Sequence, residues 1–297
     1  MKRKRILVGV VVMLAILGFF IFLFLMMGRL FGKPSQFAFG EKVAVVEIRG
    51  VITQSSDIIE EIHQYLDDGG VRAIILRIDS PGGGVGPSQE IYREVMKAKE
   101  RKKVVTSMGS VAASGGYYIA AASDVIVANP GTITGSIGVI MEFTSLEELL
   151  KKIGIKGIVL KAGENKDIGS PFREMTPDEK RIIQEVIDNV HQQFIDAVAN
   201  GRKGKMNRTD VVKVADGRIF TGEQAKEVGL VDRMGNLDDT IDIAAELAGI
   251  TGKPNVVYPR KKFSVWDLLL EEMASAIAKA LNEKVFELNY RLASPVD

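Results

Sequence analysis

The sequence predicts an α/β domain built on a parallel sheet, with a single membrane-spanning helix in front of it and an amphipathic helix behind it. Three observations carry this reading. Short, continuous apolar runs alternate with segments of helical period, as strand–helix–strand crossovers require. A charge-free stretch near the N-terminus is long enough to cross a bilayer. Beyond Tyr258 the pattern changes to an apolar stripe at helical spacing.

The first element is the anchor. Lys2, Arg3, Lys4 and Arg5 precede Ile6 to Met27, which carries no charge and would span about 33 Å as a helix. Arg29 and Lys33 follow without a small-residue cleavage site, so the segment reads as an uncleaved anchor rather than a removed signal peptide. More basic residues before the span than after it predict a cytoplasmic N-terminus and a domain outside the cytoplasm. The predicted organisation is therefore a basic cytoplasmic segment (1–5), an anchor (6–27), a linker (28–40), one soluble domain (41–258) and a C-terminal helical segment and tail (259–297).

Within the domain, Val43 to Ile48 is a buried strand, Asp57 to Leu66 a helix with Ile58, Ile59, Ile62 and Leu66 on one face, and Ala73 to Ile78 the next strand. The turn Asp79-Ser80-Pro81-Gly82-Gly83-Gly84 leads into a helix from about Ser88 to Lys99. A strand at Val104 to Ser107 runs into Met108 to Ala120, a small-residue stretch containing Ser114, with an Ala-rich helix predicted at Ile119 to Ala122. Strands are then expected at Asp124–Ala128, Ile137–Met141 and Gly157–Leu160, with a capping box at Ser145 to Glu148 opening a short helix to Ile153. After the polar loop Lys161 to Arg173, a second capping box at Thr176 to Glu179 opens a long helix marked by Ile182, Ile183, Val186, Val190, Phe194 and Val198. A third box, Thr221 to Gln224, a short run at Leu230 to Asp232 and a helix at Leu237 to Leu247 complete the domain. Past it, Trp266, Leu269, Leu270, Met273, Ile277 and Leu281 form a stripe read as packing on the domain or on a neighbouring subunit.

Composition narrows the chemistry. Across 297 residues, 39 basic and 38 acidic side chains leave a net charge of +1, which argues against a nucleic-acid partner. The absence of cysteine removes disulfides, thiolate catalysis and Cys-ligated metals. His63 and His191 both fall in helical segments and read as ordinary helix residues, so neither a metal nor any other cofactor is expected. What remains is hydroxyl chemistry. A serine at a tight bend between strand and helix exposes its hydroxyl, and small neighbours let another backbone approach. Ser114, followed by Gly115 and Gly116, sits in such a place. Without a convincing histidine its base would be a lysine, which must be held in a water-poor pocket to act as one. Composition does not say which lysine.

The ordered runs D-S-P-G-G-G (79–84), M-G-S-V-A-A-S-G-G-Y-Y-I-A (108–120), T-G-S-I-G-V-I (134–140), K-A-G-E-N-K-D-I-G-S-P (161–171) and G-R-I-F-T-G-E-Q-A (217–225) resemble the short, single-domain form of signal peptide peptidase A, over about residues 41 to 235. The resemblance implies a Clp-protease and crotonase-like fold with a repeated β-β-α/βαβ core, and a Ser-Lys dyad. By it Ser114 is the nucleophile and Lys166 the general base, with Lys161 as local rival. Ser136 matches the hydroxyl that orients the lysine, and Gly83 and Gly115 supply the oxyanion-hole N–H groups. It implies no cofactor, a ring-shaped homo-oligomer, and signal peptides or similar apolar peptides as substrate at the membrane. Asp167, beside the expected base, departs from a water-poor setting, and its side chain is expected to point away from Lys166. The alternatives are a Clp-like membrane protease for membrane-protein quality control, a catalytically silent membrane scaffold, or an acyl-CoA enzyme on the same fold.

Overall fold

The computed structural model describes Met13, residues 16–20 and residues 40–258. The chain divides into residues 1–41 and 42–297. In the first unit, residues 16–20 are helical with exposed side chains. The rest of the expected anchor at 6–27, nearly all of the linker at 28–40 and the amphipathic stripe past Tyr258 lie outside the described residues. Among the described residues no helix is long and apolar enough to cross a membrane.

The second unit starts with strand β1 (Lys42–Ile52), helix α1 (Ser56–Asp67) and strand β2 (Val71–Gly83), and β1 and β2 pair in parallel. Helix α2 (Val85–Ala98) then leads to β3 (Lys103–Ala113), which lies parallel to β2 on its other side. These are the crossovers that the apolar runs predict. Strand alternation sends each run to two cores. Ala44, Val46, Ile48, Ile74, Leu76 and Ile78 face a cluster with Ile62, Ile91, Val95 and Val198. Val43, Val45, Ala73, Ile75 and Val105 face the opposite side. That second face is covered by α8 (Leu237–Leu247) through Ile241, Ile243 and Ala244. Each buried Val, Leu or Ile among them contributes about 1.5–3 kcal/mol of burial.

Strands β1, β2 and β3 run further than the apolar patterns predict, and the extra length builds the functional corner. Register shifts fall between Arg49 and Val51 in the β1–β2 pair and between Ile78 and Ser80 in the β2–β3 pair. On either side of this irregularity β3 has different neighbours. Val105–Ser107 pair with β4 (Val125–Ala128), whereas Val111–Ala113 pair with β5 (Ile133–Gly135). Strand β5 is in turn antiparallel to β6 (Ile219–Thr221), so the sheet is mixed rather than wholly parallel. Two short strands complete it: β7 (Arg233–Met234) beside β4, and β8 (Asn255–Val257) beside the start of β1.

The helices agree with the sequence where capping chemistry is strong. α5 (Pro177–Gly201) carries the Thr176–Glu179 capping box, and α7 (Gly222–Glu227) the box at Thr221–Gln224. A further box, Asn236 with Asp239, opens α8. The one read at Ser145 is not formed: α4 (Glu147–Lys152) starts at an N-cap Leu146 with no side-chain cap. The helix after Ser114, α3 (Gly115–Ala120), starts four residues earlier than expected, because complete burial outweighs the poor helix propensity of Gly115 and Gly116. Between α5 and α7 lies α6 (Arg208–Val214), opened by Asn207, whose side chain accepts from the Asp210 N–H.

The strands expected at 137–141 and 157–160 are absent, although both runs are apolar. β5 already has β3 on one side and β6 on the other, so the sheet offers 137–141 no free ladder there. Ile158 is 87% exposed and Leu160 95% exposed, far from a sheet interior. The C-terminal end of α5 is fastened by Arg202, which is 1% exposed. Its guanidinium donates to both oxygens of Asp232 at 2.8 Å and to the Gly229 carbonyl at 2.8 Å. Tyr117 Oη, from α3, donates to the neighbouring Leu230 carbonyl at 2.9 Å, locking α3 beneath the corner.

Candidate active site

Ser114 stands at the bend between β3 and α3, with φ 52° and ψ −121°, one of two non-glycine residues of the described chain with positive φ. Such a backbone costs about 1–3 kcal/mol and persists only when its surroundings hold it. Two hydrogen bonds do so. The Ser114 N–H donates to the Gly135 carbonyl at 2.9 Å, and its own carbonyl accepts from the Tyr118 N–H at 2.8 Å. The hydroxyl is thereby pushed out at a sharp strand-to-helix turn, the same device by which nucleophile elbows present a serine.

The end of β2 meets this bend. The Gly84 N–H donates to the Ile52 carbonyl at 2.8 Å, which fastens the turn to β1. A Cβ on Gly83 would collide with that carbonyl, and one on Gly115 would lie 2.5 Å from Ser88 Oγ and 3.3 Å from the Gly83 nitrogen. Only glycine at both places lets the two backbones come together beside Ser114. Ser88, which is 3% exposed, donates to the Gly84 carbonyl at 2.8 Å and so braces the same turn from α2. The sequence reading missed it, since a serine four residues into a helix carries no signal of its own.

Ser136, the other residue with positive φ (51°), is half-buried and donates its N–H to the Arg218 carbonyl at 2.8 Å. Ser114, Gly83, Gly115, Ser136 and Ser88 all line one cleft of about 340 Å³. Its apolar walls include Val85, Tyr118, Val139, Val190 and Phe194. Tyr118 stacks edge-on against Tyr92 (centroids 5.0 Å apart) and tilts against Phe194 at 4.8 Å. Burial pushes the Tyr92 phenol up to about 12, so it stays protonated and donates to the Ala197 carbonyl at 2.9 Å, holding α5 against α2. A cavity of about 390 Å³ near the end of β1, lined by Glu47, Asp57 and Glu61 among others, does not include Ser114.

Lys166 is brought to none of these residues within the chain. It is exposed on a turn in which its N–H donates to the Gly163 carbonyl at 3.2 Å, and it does not line the cleft. Its rival Lys161 is occupied, since Nζ donates to Asp167 and to the Glu164 carbonyl, both at 2.6 Å. Asp167 faces Lys161 and Arg173 rather than its neighbour Lys166. Arg173 donates to its two oxygens at 2.9 Å each, and these hydrogen bonds, with that from Lys161, hold the carboxyl well below its usual range. Arg173 reaches on to Glu179, with Nη1–Oε2 at 2.7 Å and a second contact from Nη2. Together with the Thr176 N–H, this pulls the Glu179 carboxyl down to about 2. Neither histidine lines the cleft. His63 pairs with Glu94 at 2.9 Å, and His191 Nε2 is buried without a partner among the described residues. No metal-holding group of acidic, histidine or cysteine side chains occurs among the described residues.

A serine on a strained bend, backbone amides beside it and an apolar cleft in front of it can perform acyl transfer. Comparison with known proteins agrees. Residues 96–251 match peptidase family S49, and residues 44–130 match the Clp protease family. The chain belongs to peptidase family S49. A protein of Synechocystis sp. that bears a protease name is 44% identical over 218 residues, covering 73% of this chain and 78% of that one. An Enterococcus faecium protein named for signal peptide peptidase SppA is 36% identical over 219 residues, with 69% of this chain and 63% of that one covered. The chain thus spans somewhat less than two thirds of the Enterococcus protein. Among solved structures, the membrane-bound stomatin-specific protease 1510-N, in a mutant form, superposes with a TM-score of 0.50 at 18% identity, over 75% of this chain and 99% of that one. That likeness shows the Clp-protease-like α/β fold. This S49 member is a peptidase.

Proposed function

We propose that this S49 peptidase is a membrane-anchored serine endopeptidase that uses Ser114 and Lys166 to cleave released signal peptides and similar apolar segments. The observation that carries the reading is the strained Ser114 bend with Gly83 and Gly115 packed against it at the mouth of an apolar cleft. Ser114 Oγ attacks the peptide carbonyl, the Gly83 and Gly115 N–H groups hold the oxyanion, and neutral Lys166 takes the hydroxyl proton and returns it to the leaving amine. Water then hydrolyses the acyl-enzyme. An extended apolar peptide suits walls such as Val85, Val139, Val190 and Phe194.

Lys166 serves the cleft of a neighbouring copy in a homo-oligomeric ring. Two features support this. Lys166 is exposed and outside its own chain's cleft, and the segment that leads to it exposes Ile140, Leu149, Ile153, Ile158 and Leu160, a patch of the kind that marks an interface. The anchor at 6–27 keeps the ring at the outer face of the membrane.

The test is cleavage of a labelled apolar signal-peptide fragment by the full-length protein and by Ser114→Ala and Lys166→Ala. The proposal expects the parent to cut and each variant alone to be silent. Co-assembling the two silent variants should restore a fraction of the activity, because some clefts then combine an intact serine with an intact lysine. A mixture as silent as its components defeats the shared site, and a fully active Lys166→Ala defeats the dyad.

A further inference from the structure

Arg173 lies outside the cleft, yet it is the most heavily engaged cation near the turn that carries Lys166. Its guanidinium clamps both oxygens of Asp167 at 2.9 Å and also contacts the Asp167 backbone carbonyl at 3.4 Å. The opposite edge takes both oxygens of Glu179, the third residue of the α5 capping box. The Glu179 side chain is 6% exposed, so this end of the bridge is fixed. Farther along α5, Val190 and Phe194 wall the cleft. The turn that carries Lys166 is therefore tied through Arg173 to the first turn of α5.

From this geometry we infer that Arg173 is a positioning residue for the catalytic lysine. It sets the turn of residues 163–170 against α5, and it occupies the one carboxylate adjacent in sequence to Lys166. The inference rests on the assignment of Lys166 as base. The charged groups facing Asp167 are Lys161 from its own loop and Arg173. Behind Arg173 stand Glu179 from α5 and Glu147, paired with Lys151, from α4. Removing Arg173 releases the turn and frees one side of Asp167 to meet the Lys166 ammonium. A carboxylate there favours the charged form, which is useless as a base.

The experiment compares the pH dependence of peptide cleavage by the full-length protein with that of Arg173→Ala, Arg173→Lys and the double variant Arg173→Ala/Asp167→Asn, with Lys166→Ala alongside. For Arg173→Ala we expect kcat to fall about tenfold with KM within about twofold. The acid-side midpoint of kcat/KM should rise by about one pH unit. Asp167→Asn in the Arg173→Ala background should return the midpoint to the parent value while kcat stays low. A purely structural arginine would lower kcat and worsen KM together, or reduce assembly by size-exclusion chromatography, with no shift of the midpoint, and either result overturns the inference. If Arg173→Ala does not assemble, Arg173→Lys decides the matter, since an ammonium lacks the planar fork that clamps both oxygens of Asp167 and of Glu179 at once, and the midpoint should still rise. The two readings fail separately. A silent Lys166→Ala with an unaltered Arg173→Ala profile sinks only the role of Arg173, whereas an active Lys166→Ala sinks the lysine base and with it the positioning of that base.

Discussion

The two regions that the proposed dyad joins are built in opposite ways. The corner around Ser114 is assembled from the ends of β2, β3 and β5, and all of α3 behind it is buried. The arm from Val139 to Met175 contains one short helix, no strand, and apolar side chains turned to solvent. Backbone strain in the corner is balanced by packing. Order in the arm comes instead from ion pairs among Lys161, Asp167, Arg173 and Glu179. One region is finished within a single chain. The other presents an apolar surface that the described residues of the chain do not cover, the feature on which the proposed assembly rests.

The largest effect expected from this contrast is at the corner. Ser114→Ala should lower peptide cleavage about 10⁴-fold, measured as kcat/KM, while leaving assembly intact. Gly115→Ala comes next, with about 10²–10³-fold lost in kcat, because its methyl would press on Ser88 and separate the oxyanion donors. A smaller effect with a different signature is expected on the arm. Leu160→Asp should cost about tenfold in activity at low protein concentration, recover as concentration rises, and change the unfolding free energy by no more than about 0.5 kcal/mol. A concentration-independent loss, or a marked drop in stability, would place Leu160 inside its own chain's packing.

The weakest effect concerns acid. The Asp167 and Glu179 carboxyls lie below their unfolded values, Glu179 at about 2. Groups depressed in this way stabilise the folded form above the usual carboxylate range, near pH 4, and that contribution fades as pH falls through the native values. Limited proteolysis of the arm should therefore stay constant from neutral pH down to about pH 4 and increase only below it. Earlier loosening would mean that the bridge is weaker than its geometry suggests.

Legibility in the sequence followed the same divide. The first halves of β1, β2 and β3 declare themselves as continuous apolar runs because both of their faces are covered. α5 declares itself through Thr176, Glu179 and its helical period. Strands β5, β6 and β7 are two or three residues long, too short for any period to register, and they form on the edges that β3, β5 and β4 respectively offer. The run Gly157 to Leu160 reads as a buried strand because apolar composition is the same whether a sheet or another molecule is to cover it. Ser114 and Gly115 were legible from their turn, Gly83 and Ser136 from the family resemblance, and all four line one cleft. Lys166 came from the resemblance alone. Arg173 gave no signal, since spacings of six residues to Asp167 and to Glu179 match neither helix nor strand.

The positive φ of Ser114 also bears on how such a chain would decay. Glycine adopts that conformation without penalty, so Ser114→Gly should fold to a sturdier protein than the parent while removing the proposed nucleophile. Selection for stability and selection for chemistry oppose each other at this position. In any descendant that has lost its substrate, residue 114 would be among the first to drift, and glycine there would mark a retired enzyme.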